Sequence, residues 1–308
     1  MTSNQRKVYG DVLVQLGKEN QKIVALEADL GKSTMSNLFG AAYPERYFQM
    51  GIAEANMISA AAGLALTGYI PFVSTFAVFA SGRPYDQIRS SVCIPKLNVK
   101  ICGSSAGLSD FGDGKTHQSI DDIAIMRVLP NMTVLSPADG AEAEKMMRLM
   151  PEIEGPVYLR LNRNDLPVVT DVDGAYEFGK AQLIRDGGDA VIFATGVMVA
   201  MALEAAEALS AEGIALRVVN VSTIKPLDRE GVRKYASDVK AVMTAEEHSV
   251  IGGLGSAICE ALSEARVPVR IMGIQDAFGR SAAAYDELMA KYGLTADAIV
   301  SNVRDLLK

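Results

Sequence analysis

The 308-residue chain is 49% hydrophobic and 22% charged, an ordinary globular composition with apolar side chain for more than one core. A formal net charge of -7, with no cluster of Lys and Arg, argues against a nucleic-acid or anionic-membrane surface as the main partner. Cys93, Cys102 and Cys259 are widely spaced and lack CxxC geometry or a nearby His, so neither a disulfide framework nor a zinc site is expected.

The N-terminal segment MTSNQRKVYGDVLVQLGKEN is polar and amphipathic, without the basic stub and apolar core of a secretory signal, and a cytoplasmic protein is expected. A strand, KIVALEAD, follows. QMGIAEANMISAAAGLALTG, residues 49–68, then reads as a helix near Ala53–Leu66 with a single charge, Glu54. A carboxylate in such surroundings loses hydration, so it either finds a partner or gives up its charge. From Ala55 to Gly82 there is no charge at all, a length that could span a membrane. Gly63, Gly68, Pro71, Ser74 and Thr75 break the run into a small-residue helix, a turn and the β-rich FVSTF, and no membrane span is expected.

Strands IPFVSTF, LNVKIC, MTVLS and PVYLRL come next, with helices near Pro84–Ser91 and Ala138–Met150, the latter capped by Ser136 or Asp139. This alternation predicts a first α/β domain with a parallel sheet over residues 1–165. Periodicity stops in LPVVTDVDGAYEFGKAQLIRDGGD, so 166–188 read as a linker with a small hairpin. Strands DAVIFAT, IALRVVNVS, DVKAVMTAEE and VPVRIMGI follow, with helices near Val197–Glu212, Asp228–Tyr235 and Gly255–Ala265, giving a smaller α/β domain over 189–308.

Three glycine motifs invite a nucleotide or diphosphate reading, and each fails. GKST at 31–34 would end a phosphate loop, but Leu26 stands where that loop needs glycine. GGLGSAIC at 252–259 has Ile258 at the third glycine position of a dinucleotide fingerprint and reads as a tight strand-to-helix turn. GDG at 112–114 would open the motif that binds thiamine diphosphate through magnesium, yet the window where its asparagine belongs holds Asp139, Gly140 and Ala141.

What remains is GLSDFGDGKTHQSIDD, residues 107–122, a Gly-, Ser- and Asp-rich loop that presents His117, one of two histidines. Histidine shuttles protons near neutral pH, and glycines let backbone and imidazole approach a ligand closely. Glu54, the aromatic run TFAVF and this loop all fall near strand ends of one domain, where α/β sites lie.

These residues carry a resemblance. MGIAEANM, STFAVF, DGKTHQSIDDIAIMR, LPNMTVLSPAD and LRLNRND look like the pyrimidine-binding domain of transketolases, and EEHSVIGGLGSAICE looks like their C-terminal domain. The likeness covers nearly the whole chain in the right order. A full-length transketolase is about twice as long and begins with a domain that holds the cofactor's diphosphate through Mg2+, so the chain resembles the separate C-terminal subunit of a split transketolase. The resemblance implies a partner N-terminal subunit carrying that site, a heterotetramer of two long and two short chains, and sugar phosphate substrates of pentose phosphate metabolism.

It also implies roles. Glu54 matches the glutamate that hydrogen-bonds the aminopyrimidine nitrogen of thiamine diphosphate, Phe79 the ring stacked on that heterocycle, and Phe76 a wall of the same pocket. His117 and Asp113 match residues at the donor's hydroxyls. Arg6, Ser36 and Arg163 fall at or near phosphate-holding positions, with surface salt bridges the alternative for the arginines. A third pocket aromatic falls at Gly82 and a phosphate histidine near Gly103, so both features are missing here. His248 is not assigned to catalysis. The same architecture serves 2-oxoacid dehydrogenase beta subunits and deoxyxylulose phosphate synthases, and a non-catalytic assembly subunit is the rival of another class.

Overall fold

The computed structural model describes residues 1–308. In the first half, strands β1 (Thr2–Asn4), β2 (Ile23–Glu27), β3 (Tyr47–Gln49), β4 (Ile70–Phe76), β5 (Lys100–Ser104), β6 (Thr133–Leu135), β7 (Val157–Arg160) and β8 (Asp165–Pro167) alternate with helices. The second half contributes β9 (Gln182–Arg185), β10 (Ala190–Ala194), β11 (Leu216–Asn220), β12 (Thr223–Lys225), β13 (Ala241–Ser249) and β14 (Val269–Ile274). They build a seven-stranded sheet, β12-β6-β7-β5-β4-β2-β3, and a five-stranded one, β14-β13-β10-β11-β9. Every pairing in the larger sheet is parallel except β12 with β6. The smaller sheet is parallel apart from β9, so the α/β class read from the alternation holds.

Successive side chains of a strand face opposite ways, and the cores record it. Val24, Leu26, Val73 and Ile101 pack with Met57 and Ile58 of helix Glu54–Leu66 on one face. Ile23, Ala25, Phe72 and Cys102 pack on the other with Tyr9 and Leu13 of helix Gln5–Glu19 and Met146 of helix Gly140–Leu149. Asp139 caps the last helix, accepting from Glu142 N–H, as one of the two sequence-nominated caps. Helices cover both faces of the smaller sheet in the same way. No helix is long and apolar enough to cross a membrane.

Three details depart from the sequence reading. The expected helix near Pro84–Ser91 is a short α-turn, Tyr85–Gln87, continued as a π-helix over Ile88–Cys93. The hairpin expected within 166–188 does not form: β8 pairs with β1, and β9 joins β11 at the edge of the second sheet. Short edge strands with long-range partners carry too little periodicity to be read locally. β12, from the second half, completes the first sheet beside β6.

The halves are joined by buried charge. Asp122 is fully buried and accepts from Arg160 Nε at 2.9 Å and Tyr158 Oη at 2.8 Å. Arg160 Nη2 reaches across to the carbonyl of Glu247 on β13 at 2.8 Å and that of Ser119 at 3.3 Å. Removing one member of a buried pair strands the other, at a cost of about 3–5 kcal/mol. Arg160→Met should therefore lower the urea midpoint strongly, and adding Asp122→Asn should restore much of the loss; equal midpoints for wild type and Arg160→Met would show that the pair carries no such weight.

Candidate active site

Glu54 is the first residue of its helix, where a carboxylate complements the partial positive charge of the N-terminus. Its side chain is only 3% exposed, so it needs a partner, and Arg83 Nη1 lies 2.8 Å from its Oε1. The guanidinium also lies over Phe79, 4.0 Å from Cζ to ring centroid, in cation–π geometry. Phe76 ends β4, and Phe79 follows in the next turn. Their rings are near-parallel, with centroids 6.0 Å apart and planes 18° apart. The His117 imidazole meets both edge-on, at 5.4 Å from Phe79 and 6.2 Å from Phe76. Glu54, Arg83, Phe79, Phe76 and His117 thus form one unbroken run of contacts. The space beside Gly82 is open, so no side chain replaces the missing third aromatic there. At Gly103 a Cβ would press on the Tyr158 hydroxyl, which leaves no room for a histidine.

A second group gathers around Asp110. This carboxylate is fully buried, with Oδ1 2.5 Å from Arg163 Nη1 and Oδ2 lacking a hydrogen-bond partner. Burial pushes its pKa up, the Arg163 charge pulls it down and nearby Asp113 pushes it up; the His117 field also pulls it down. Arg6, in the first helix, donates to the Ser33 carbonyl at 2.8 Å and keeps a buried, unpaired Nε. Its pKa is lowered, first by burial and then by Arg163, against the opposing pull of Asp110 and Asp165. Two guanidiniums therefore share the field of one buried carboxylate. Ser36 sits in the same turn as Ser33, but its hydroxyl pairs with Thr34 Oγ1 at 3.0 Å.

The structure thus brings Phe76, Phe79 and His117 together, links Glu54 to them through Arg83, and gathers Arg6, Arg163 and Asp113 about Asp110, with His117 adjoining both groups. Ser36 stands at the margin, held by its neighbour. Two residues escaped the sequence reading. Arg83 is the first charge after the uncharged run that ends at Gly82, a signal that was available. Asp110 lies within the Gly-rich loop, and nothing in its local sequence distinguishes it from Asp113.

Other conspicuous residues have structural jobs. GKST is a single helical turn after β2. At GGLGS the helix N-terminus is already filled: Glu246 accepts from Leu254 N–H at 2.7 Å and Gly255 N–H at 2.8 Å, leaving no place for a pyrophosphate. His248 is fully buried, with Nδ1 2.7 Å from the Ser249 carbonyl and Nε2 accepting from Ala124 N–H at 3.3 Å. All three cysteines are free, and no group of His, Cys, Asp and Glu side chains is arranged to hold a metal ion.

Residues 2–169 match the family model of the transketolase pyrimidine binding domain, and residues 179–299 that of the transketolase C-terminal domain. The chain belongs to the transketolase family. It is 44% identical over 307 residues to a putative transketolase C-terminal section from Methanocaldococcus jannaschii, covering 98% of this chain and 96% of that one. It is 45% identical over 296 residues to a 6-deoxy-6-sulfo-D-fructose transketolase subunit from a Clostridium species, covering 96% and 92%. A solved structure described as a split gene transketolase, inactive beta4 tetramer, superposes with a TM-score of 0.89 at 50% identity, covering 100% of this chain and 99% of that chain. Against a 1-deoxy-D-xylulose-5-phosphate synthase from Trichormus variabilis the identity is 38%, and the match covers 96% of this chain but 47% of the longer protein. The chain corresponds to the C-terminal section of a transketolase.

The Asp110–Arg163 pair yields a test. Removing the guanidinium with Arg163→Ala should move the Asp110 titration to higher pH, because burial then acts unopposed by its nearest cation. Carbon NMR of labelled aspartate reads this directly; an unmoved or lowered titration would contradict the pairing.

Proposed function

We propose that the chain is the C-terminal subunit of a two-chain, thiamine diphosphate-dependent transketolase that acts in the cytoplasm and moves a two-carbon ketol unit from a ketose phosphate to an aldose phosphate. The observation that carries this reading is the buried Glu54 carboxylate set beside the Phe76–Phe79 pair, within one contact run of His117. On this reading 1–165 form the pyrimidine-binding domain, 166–188 the connection and 189–308 the C-terminal domain.

The residues fit one end of the cofactor. A buried acid at a helix start and two aromatic rings suit a flat, hydrogen-bonding heterocycle, whereas no carboxylate cluster suits magnesium and a diphosphate. The diphosphate and Mg2+ therefore fall to a partner N-terminal subunit, in an assembly of two chains of each kind. The relative described as an inactive beta4 tetramer lends support to a short chain that needs a partner.

Bound thiamine diphosphate would supply the carbon nucleophile that accepts and passes on the ketol unit. Glu54 would hold a proton between its carboxyl and the pyrimidine nitrogen, and the apolar helix behind it would exclude water. Phe79 would stack on the ring, worth about 0.5–1.5 kcal/mol beyond area burial by analogy with aromatic pairs, with Phe76 as the adjoining wall. Arg83, half exposed, holds both the Glu54 oxygen and the Phe79 face, and would have to turn outward to free them for the heterocycle. Asp113 would orient a donor hydroxyl while His117 takes and returns its proton. Arg6 and Arg163, with Ser36 at the margin, would hold the substrate phosphate.

In the two-chain complex, Glu54→Ala should cut ketol transfer by about 10²–10⁴-fold while the complex still elutes intact on gel filtration. Retained activity would instead point to an assembly subunit. The synthase relatives share this architecture, so pyruvate offered as donor separates the readings: turnover of pyruvate in place of ketose phosphate would favour a deoxyxylulose phosphate synthase.

A further inference from the structure

We propose that Glu247, a residue of the second domain, is a positioning residue that anchors both halves of the substrate site. The inference rests on the reading of His117 and Asp113 as donor-binding residues.

β13 pairs regularly with β14 through Ala245, then shifts register before Ser249, so Glu246 to His248 leave the ladder. The Glu247 side chain points into the domain junction and is only 2% exposed. Its Oε1 accepts from Leu108 N–H at 2.7 Å, at the root of the loop that carries Asp113 and His117. Gly107, just before, has φ +64°, and a Cβ there would overlap the Glu247 carboxyl, so the loop can start in this way only with glycine. Its Oε2 accepts from Asn162 Nδ2 at 3.2 Å, next to Arg163. Asn162 Nδ2 also reaches Tyr285 Oη at 3.1 Å, and Asn162 N–H donates to Gln5 Oε1 at 2.7 Å beside Arg6. One carboxylate thereby fixes the histidine loop and the arginine strand end relative to each other.

The hydrogen-bonding groups facing this carboxylate are donors: Leu108 N–H, the Asn162 amide and the Tyr285 hydroxyl. Arg160 on β7 adds positive charge and Asp122 opposes it, while Glu246 and His248 on the same strand engage each other and the helix that starts at Leu254. The ionised form accepts from all three, whereas the proton of a neutral carboxyl or the NH2 of an amide can turn only to the Tyr285 oxygen, which already accepts from Asn162 Nδ2. Burial nevertheless pushes the Glu247 pKa up to about 7, with Arg160, Leu108 N–H and Tyr285 pulling it down and Asp122 raising it. Because the folded pKa exceeds the ordinary carboxyl value, this group's contribution to stability is full at low pH and is lost as pH rises through about 7. Loop ordering should run the opposite way, improving as the proton leaves. Stability and site order therefore move in opposite directions with pH.

The test uses the two-chain complex, with donor kcat and KM measured across neutral pH for wild type, Glu247→Gln and His117→Ala. Glu247→Gln should lower kcat at least tenfold, leave the acceptor KM unchanged and remove one of the ionisations that make up the acid limb, leaving a shallower limb. Unchanged kcat with the limb intact would overturn the proposal. Unchanged donor turnover in His117→Ala would instead overturn the donor-site reading on which it rests. Should Glu247→Gln fail to fold, hydrogen exchange of the wild-type complex decides: after correction for intrinsic rates, protection of 107–121 should fall selectively below neutrality, and a pH-independent loop would refute the proposal.

Discussion

The buried pair of Asp122 and Arg160 is the constraint on which the rest of the structure depends. Arg160 ends a central strand of the first sheet, Asp122 opens the helix after the Gly-rich loop, and the guanidinium's Nη2 donates to one carbonyl of each domain. Taking two charges out of water is expensive unless they gain further hydrogen bonds, and here Tyr158 Oη and the Ser119 and Glu247 carbonyls supply them. A loop rich in glycine has little conformational preference of its own. Its shape comes from outside: from Arg160 at Ser119, from Glu247 at Leu108 and from the Arg280 carbonyl at Gln118, 2.9 Å from the amide nitrogen. The second domain thus acts as the template against which the first domain's site is set.

Much of the framework was legible in the sequence because parallel strands buried on both faces read as continuous apolar runs. Glu54 was legible for the complementary reason, a lone charge in an uncharged helix. Pairings between distant residues were not. Arg83 meets Glu54 across 29 positions, Arg163 meets Asp110 across 53, and Glu247 meets Leu108 across 139. No periodicity encodes such contacts, since they arise only when loops from different strand ends converge. β1, β8 and β12 were missed on the same ground, being three-residue edge strands with remote partners. The nucleotide-like GGLGS segment shows the reverse case, in which a local pattern is right for a strand-to-helix turn while the Glu246 carboxylate already occupies its anion-binding end.

The site has an uneven character that bears on its chemistry. Its aromatic end joins Phe76 and Phe79 to the Glu54–Arg83 ion pair, with Arg83 half exposed and an open flank at Gly82. Its polar end sets two arginines about one buried carboxylate, a weaker anion trap than two free guanidiniums, and the position near Gly103 cannot hold a histidine.

The central claim is that this chain holds half of a catalytic site completed by another chain. The most direct measurement is ketol transfer from ketose phosphate to aldose phosphate, with thiamine diphosphate and Mg2+ present. It would be made on this chain alone, on its co-purified partner alone and on the two recombined. The account predicts activity only in the recombined pair; full activity from this chain by itself, or none from a stoichiometric pair across a panel of ketose donors, would contradict it.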